Sequence, residues 1–417
     1  FREFYSSQPL IAHHPDFILY PLALLDGILP PVHGILVVQT LALALTAVPA
    51  YRLGERHLGG PWGGLCAGVT VLLYPVLGQV NVFEAHPLAL AVAPALWAFE
   101  ALDRNAGREA ALATVLVVLC KEDGLLFAAL LPWVRTPRRR GRALAITVVC
   151  LSLYAGYAFV LKPAIGAPNQ VRAHFGALGS TPNQVMVSLL SHPLGTLARA
   201  FDRPRLLYLA ALLWPLAFLP LGAPRLLLPI VPLVAINLVA LMPARFQVVD
   251  SYYSALILPS LFAAAVVAGG RAARRLGRSP VWAGLLLLLA AGAGAARLGA
   301  FPGAGGHFAA DYRDDARAVA MRALVAPMLA RPDASVSAPL DVVAHLAQRA
   351  EPFIFPRGVD HADFALAEIG TQVPIEAPSL HAYQESVRRT VSELLRSGRM
   401  KLIEARGPIA LLGRVPR

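Results

Sequence analysis

Three ionisable residues in a row, Lys121, Glu122 and Asp123, stand between the apolar stretches ALATVLVV and LLFAALLPWV. A carboxylate can take the proton of a hydroxyl, and an ammonium can neutralise a departing phosphate. Inside a bilayer each such charge costs several kcal/mol unless it is paired or wetted, so this triplet has to line a polar cavity or meet a polar ligand. The alternative is an ion pair of Lys121 with one carboxylate that only holds the chain in place. A second candidate is NVFEAHP, where Glu84 and His86 stand two residues apart, a combination suited to a divalent metal or to general acid/base work. A solvated turn is the plainer account of that pair.

AHHPDF adds His13, His14 and Asp16, dense in potential ligands although no second cluster has zinc-like spacing. There the alternative is a helix N-cap by Asp16 beside two interfacial histidines. Basic residues form a third set: Lys162, Arg172, His174, Arg199 and Arg203, then Arg245 with Asp250, Tyr252 and Tyr253. They suit a phosphate headgroup, or simple snorkelling to the lipid interface. No phosphate-cradling glycine loop, G-x-S-x-G or CxxC occurs.

The elements that must position these residues follow from composition. Of 417 residues, 57% are hydrophobic and 15% charged, and the mean hydropathy is +0.58, which implies an integral membrane protein. The continuous Leu, Ala and Val runs favour helices over a barrel. Spans are expected near residues 33–52, 62–80, 86–102, 143–162, 205–221, 224–242, 252–270 and 281–298. The Arg-rich runs RTPRRRGR and RAARRLGR mark the cytoplasmic side, so the net charge of +12 reads as topology and excludes a nucleic-acid partner. Parity then puts the Glu84 turn, the 162–203 loop, the Tyr252 loop and everything after about residue 300 outside. The segment from Asp16 to Pro31 is expected to lie along that outer interface.

Region 109–134 breaks the count, because both of its flanks belong to the cytoplasmic side. Two short helices of about 11 or 12 residues, each rising roughly 17 Å, form a re-entrant hairpin in this reading, with Lys121, Glu122 and Asp123 at its tip. The division expected is a polytopic transmembrane domain over 1–300 and a small soluble α/β domain over 301–417, the latter extracytoplasmic. Its patterns are a helix at 314–329, strands in ASVSA, PFIFP and ADFALAEI, a polar helix near 379–397 and a terminal hairpin. Cys66, Cys120 and Cys150 fall in apolar segments and are expected to stay unpaired. The chain begins at Phe1 without Met, and a preceding portion with a first transmembrane helix is expected.

HHPDFILYPLALL, VVQTLALALTAVPAYRL, NVFEAHPLALAVAPALWAFE, VLCKEDGLLF and DASVSAPLDVVAHLAQRAEPFIFP occur in this order. Together they resemble the uncharacterised bacterial membrane-protein family called domain of unknown function 2079. That family is similar in layout to the GT-C glycosyltransferases of the outer membrane face, whose protein-mannosyltransferase relatives have a Lys-containing helix break resembling the position of Lys121. The resemblance implies a GT-C-like fold, mainly α, in the bacterial cytoplasmic membrane, and transfer of a sugar from a polyprenyl-phosphate donor at the outer face. It departs from the pattern in lacking the usual acid of the first outer loop, of which Glu3 is at most a remnant. On this reading Glu84 or Asp123 is the catalytic base, and Glu122 and His86 orient groups or bind metal. Lys121, helped by Arg172, contacts phosphate, and His14 and Asp16 complete the substrate site. Glu84, His86 and Asp123 are the candidate ligands for a divalent ion, Mg or Mn. The competing reading is a non-catalytic transporter or assembly scaffold, but no inverted repeat or charged path across the membrane supports transport.

Overall fold

The computed structural model describes residues 10–25, 28, 33–135, 140–166, 171–301, 304, 315–346, 349, 351–370 and 378–415. The chain divides into two compact units. The described residues of the first lie between Leu10 and Ala304, and those of the second between Asp315 and Val415.

After the short α1 (Leu19–Ala23), α2 (His33–Ala44) and α3 (Ala47–His57) run on as one apolar helix long enough to cross a membrane. Arg56 in its last turn is a cation that suits the negative end of a helix. The chain then reverses through Gly59 and Gly60, both left-handed at φ 95° and 72°. α4 (Gly60–Leu73) packs back on α3 through glycines: a Cβ on Gly54 would stand 2.4 Å from that of Ala67, so only hydrogen fits at this crossing. α5 (Pro75–Val82) follows after a 45° bend at Tyr74, where Pro75 removes a donor from the helical ladder.

A 3-10 turn (Pro87–Ala91) leads into α6 (Val92–Asp103), then α7 (Gly107–Cys120) and α8 (Asp123–Leu130). α9 (Arg140–Ala155) continues through a π turn (Gly156–Leu161) and α10 (Lys162–Ala164) as one apolar helix of 25 residues. Near the end of α3, buried Glu100 accepts from Arg56 at 2.9 Å and from Arg104 at 2.8 Å, while Asp103 accepts from Arg56 at 2.8 Å. This charge network locks α3 to α6 with both carboxylates paired, as burial requires. The remaining helices are α11 (Val171–Phe175), α12 (Pro182–Ser191), α13 (Pro193–Ala200), α14 (Arg203–Leu213), α15 (Val231–Val239), α16 (Leu258–Arg275) and α17 (Val281–Leu298).

The expected spans at 205–221 and 224–242 are not continuous helices. α14 gives way to 3-10 turns at Trp214–Leu216 and Leu219–Gly222, with Ala217 and Phe218 at positive φ between them, and α15 is preceded by a 3-10 stretch, Pro224–Ile230. Pro215, Pro220, Pro224, Pro229 and Pro232 interrupt the ladder where hydropathy alone reads an unbroken run. Among the described residues three helices are long and apolar enough to cross a membrane, or four if the bent pair of α4 and α5 is one span. The interfacial segment is helical only over Leu19–Ala23; α1 has no side-chain cap, so Asp16 does not serve as one, and residues 26–27 and 29–32 lie outside the described set.

In the second unit Asp315 caps α18 (Ala316–Leu329), accepting from the Ala318 amide at 2.6 Å. Strands β1 (Val336–Ala338), β2 (Pro352–Ile354) and β3 (Phe364–Glu368) are parallel, and the hairpin of β4 (Met400–Arg406) and β5 (Ile409–Arg414) adds antiparallel to β3, giving the order β2-β1-β3-β5-β4. A short α19 (Leu340–Val343) follows β1. Phe364 and Leu366 share a core with Met321 and Leu324 of α18, whereas Ala365 and Ala367 join Val387, Val391 and Leu394 of α20 (Pro378–Arg396). The period of two thus sends alternate residues of β3 into two cores, one on each face of the sheet.

Candidate functional site

The helical break at Lys121 is built by its neighbours. Lys121 itself is extended (φ −171°, ψ 158°), and α8 begins two residues later. A Cβ on Gly124 would lie 2.5 Å from the carbonyl oxygen of Val117, so glycine is what lets the start of α8 sit against the last turn of α7. The N-terminal segment docks on the same break: the Ile18 amide donates to the Leu119 carbonyl at 2.9 Å. Tyr157, in the π turn, donates to the carbonyls of Ile11 and His13 at 3.0 and 3.1 Å. That turn also places Tyr157 and Lys162, five residues apart, on one side, and Lys162 Nζ lies 5.2 Å from the Tyr157 ring centre.

These contacts bring together charges far apart in sequence. Glu122 accepts from His14 Nδ1 at 2.8 and 3.0 Å, and Lys162 Nζ lies 4.0 Å from the same carboxylate. Lys121 is only 3% exposed, yet among the described residues its sole ionic partner is Asp123 at 3.7 Å, and no hydrogen bond reaches its Nζ. Three donors on an ammonium buried this far are left largely unused. Asp16 is also buried, and its Oδ1 has no hydrogen-bond partner. Burial, followed by repulsion from Glu122, pushes the Asp16 carboxyl up to about 7.

An aromatic wall stands beside the ammonium. Lys121 Nζ lies 5.5 Å from the centre of the Tyr252 ring, which stacks on His86 at 3.8 Å and on Tyr253 at 4.4 Å. Arg245 covers Tyr253 at 4.3 Å and donates to His174 Nδ1 at 3.0 Å. Burial and then the Arg245 charge hold the His174 imidazole down at about 4, so it is neutral and acts as an acceptor. Tyr252 and Tyr253 reach this place because residues 253–257 form turns and α16 starts only at Leu258.

The sequence-derived residues divide accordingly. His14, Asp16, Lys121, Glu122 and Asp123 meet at the break, and His86 borders them through Tyr252. Glu84 is exposed in the turn after α5 and makes no side-chain hydrogen bond among the described residues. Arg172 is exposed on α11, whereas His174, two positions on, joins Arg245 and Tyr253. Sequence reasoning missed Tyr157 and Gln39. Gln39 is 2% exposed, and its Oε1 accepts from the His86 amide at 2.8 Å, which fixes the His86 turn. A glutamine inside the apolar run ILVVQTLALA was the available signal for it.

The profile of a family described as "Predicted membrane protein (DUF2079)" matches residues 1–404. The chain belongs to the DUF2079 family. No curated protein and no solved structure matches it. Membership agrees with the apolar helices of the first unit, so this DUF2079 protein is a membrane protein with several candidate transmembrane helices. Among its described residues no group of three or more His, Cys, Asp or Glu is placed to hold a metal ion. The described charges of the DUF2079 site are the ammoniums of Lys121 and Lys162 and the carboxylates of Asp16, Glu122 and Asp123. That set can bind an anion at Lys121 and Lys162 and accept a proton at Asp16.

Proposed function

We propose that this protein is a GT-C-like membrane glycosyltransferase that moves a sugar from a polyprenyl-phosphate donor to an acceptor hydroxyl at the outer face of the bacterial cytoplasmic membrane. The observation that carries this reading is the buried, underpaired Lys121 beside the unpartnered carboxylate of Asp16. A buried ammonium with spare donors favours an anionic ligand, and a phosphate held there gains charge as its sugar leaves. In the reaction the acceptor oxygen attacks the anomeric carbon, the bond from that carbon to the phosphate oxygen breaks, and the acceptor proton passes to Asp16. The polyprenyl phosphate departs with its added charge against Lys121 and Lys162. A base with a pKa near neutrality is matched to this task. Asp123 holds the Lys121 ammonium, and the His14 pair orients Glu122.

The Arg-rich runs support the outer-face assignment, since the positive-inside rule assigns such runs to the cytoplasmic side. The test is transfer of a labelled sugar from polyprenyl-phosphate donors by the purified full chain. The expected result is transfer by the native chain and a kcat about 10²- to 10⁴-fold lower in Asp16→Asn, the usual contribution of a general base. Absence of transfer from every polyprenyl-phosphate sugar tried, or an unchanged kcat in that variant, overturns the assignment.

A further inference from the structure

A cavity lies among α7, α8 and α9, and the proposed transfer reaction makes no use of it. It is a crevice of about 950 Å³ walled by α7 and α9 and floored by α8, a volume at the upper end of ordinary ligand pockets. Its walls are apolar, with Val118 on α7, Ala128 on α8, and Ile146 and Leu153 on α9. Leu153 remains 56% exposed, so the first unit leaves this surface uncovered. Arg108, at the start of α7, and Arg142, at the start of α9, line the same crevice, and among the described residues neither makes a hydrogen bond or an ion pair.

The dimensions select an occupant. α7 lines the crevice from its first turn to Leu119, 11 residues beyond Arg108, a rise of about 17 Å. One leaflet of a hydrocarbon core about 30 Å thick is about 15 Å deep. The crevice is therefore as long as one leaflet is deep, with two cations, unpaired among the described residues, where a headgroup would sit. A polyprenyl chain outruns that length, whereas the acyl chain of a phospholipid fits it. We propose that the crevice is a binding site for one anionic phospholipid, with its phosphate between Arg108 and Arg142 and an acyl chain against α7, α8 and α9. Bound there, the lipid fills the gap between α7 and α9 and supports both helices of the break. The inference stands apart from the sugar-transfer reading, since it invokes none of the groups at Lys121.

The test reconstitutes the full chain in nanodiscs containing equal phosphatidylglycerol and phosphatidylcholine, releases it into mild detergent, and identifies retained lipid by native mass spectrometry. Two arginines at a membrane surface are expected to give about a thirty-fold preference for phosphatidylglycerol. Arg108→Gln with Arg142→Gln should abolish that preference. Both side chains are exposed, so the double variant should keep its melting temperature in detergent. Ala128→Phe, which fills the floor, should lower the retained lipid of either kind. Equal retention of the two lipids by the native chain, or a preference that survives the double substitution, overturns the proposal. So does displacement of phosphatidylglycerol by added polyprenyl phosphate, which would give the crevice to the donor chain.

Discussion

Gly124→Ala probes the contact on which the whole break depends. The added methyl would meet the Val117 carbonyl oxygen at 2.5 Å, the Val117 carbonyl carbon at 2.9 Å and the Val118 Cα at 2.9 Å. All three are backbone atoms of a helix, so none can rotate away, and α8 has to move off α7. Overpacking of this kind costs about 1–3 kcal/mol, and a backbone obstacle argues for the upper part of that range. Alanine returns up to about 1 kcal/mol of helix propensity, leaving a net loss of about 2 kcal/mol. Thermal unfolding of the purified chain in detergent should then show a midpoint lowered by several degrees. Gly141→Ala is the control, because among the described residues nothing lies within 4 Å of its added carbon; it should be neutral or slightly stabilising. If Gly124→Ala is as stable as the native chain while Gly141→Ala behaves as expected, α8 does not rest on the last turn of α7, and the geometry of the site is wrong.

Asp16 makes stability depend on pH with a definite sign. Its folded pKa of about 7 lies above the ordinary value of about 3.9, so the folded chain binds the extra proton and stability falls as pH rises from about 4 to 7, levelling off beyond. The full effect is about 4 kcal/mol at most, so Asp16→Asn should melt higher than the native chain at pH 8 and at nearly the same temperature at pH 4; a variant that melts lower at both would contradict the buried, unpartnered carboxylate. In the second unit Arg317 bridges Asp341 and Glu368 at 2.8 Å each, but its side chain is 43% exposed. Arg317→Ala should therefore cost at most about 1 kcal/mol in chemical denaturation, less at high salt; a loss of 3 kcal/mol would mean the bridge is far better shielded than it is here.

What could be read from the sequence follows the range of each signal. β3 was legible because FALAE is a short apolar run between polar, turn-forming neighbours, a pattern decided within a few residues. The break at Lys121 was legible because three ionisable residues in an apolar run have few places to go. The pairing of His14 with Glu122 was not, since the partners are 108 residues apart and nothing local specifies the contact. Gln39 passed as a span residue because hydropathy averages over its apolar neighbours, although it holds the His86 turn. The same averaging hid the breaks at Ala217, Phe218 and Pro229, where one backbone angle or one missing donor decides the outcome. Glu84 and Arg172 were chosen by residue type, and only the turn and helix that carry them determine that both face outward.

The central claim is that Lys121 receives the phosphate of a membrane lipid. Its most direct test is binding of radiolabelled polyprenyl phosphate to the full chain in phosphatidylcholine nanodiscs, comparing the native protein with Lys121→Met, a substitution of similar length without charge. Saturable binding that weakens at least about thirty-fold in the variant is the predicted result, the usual cost of removing one partner of a buried charge pair. Equal affinity of the two proteins for polyprenyl phosphate would contradict the account.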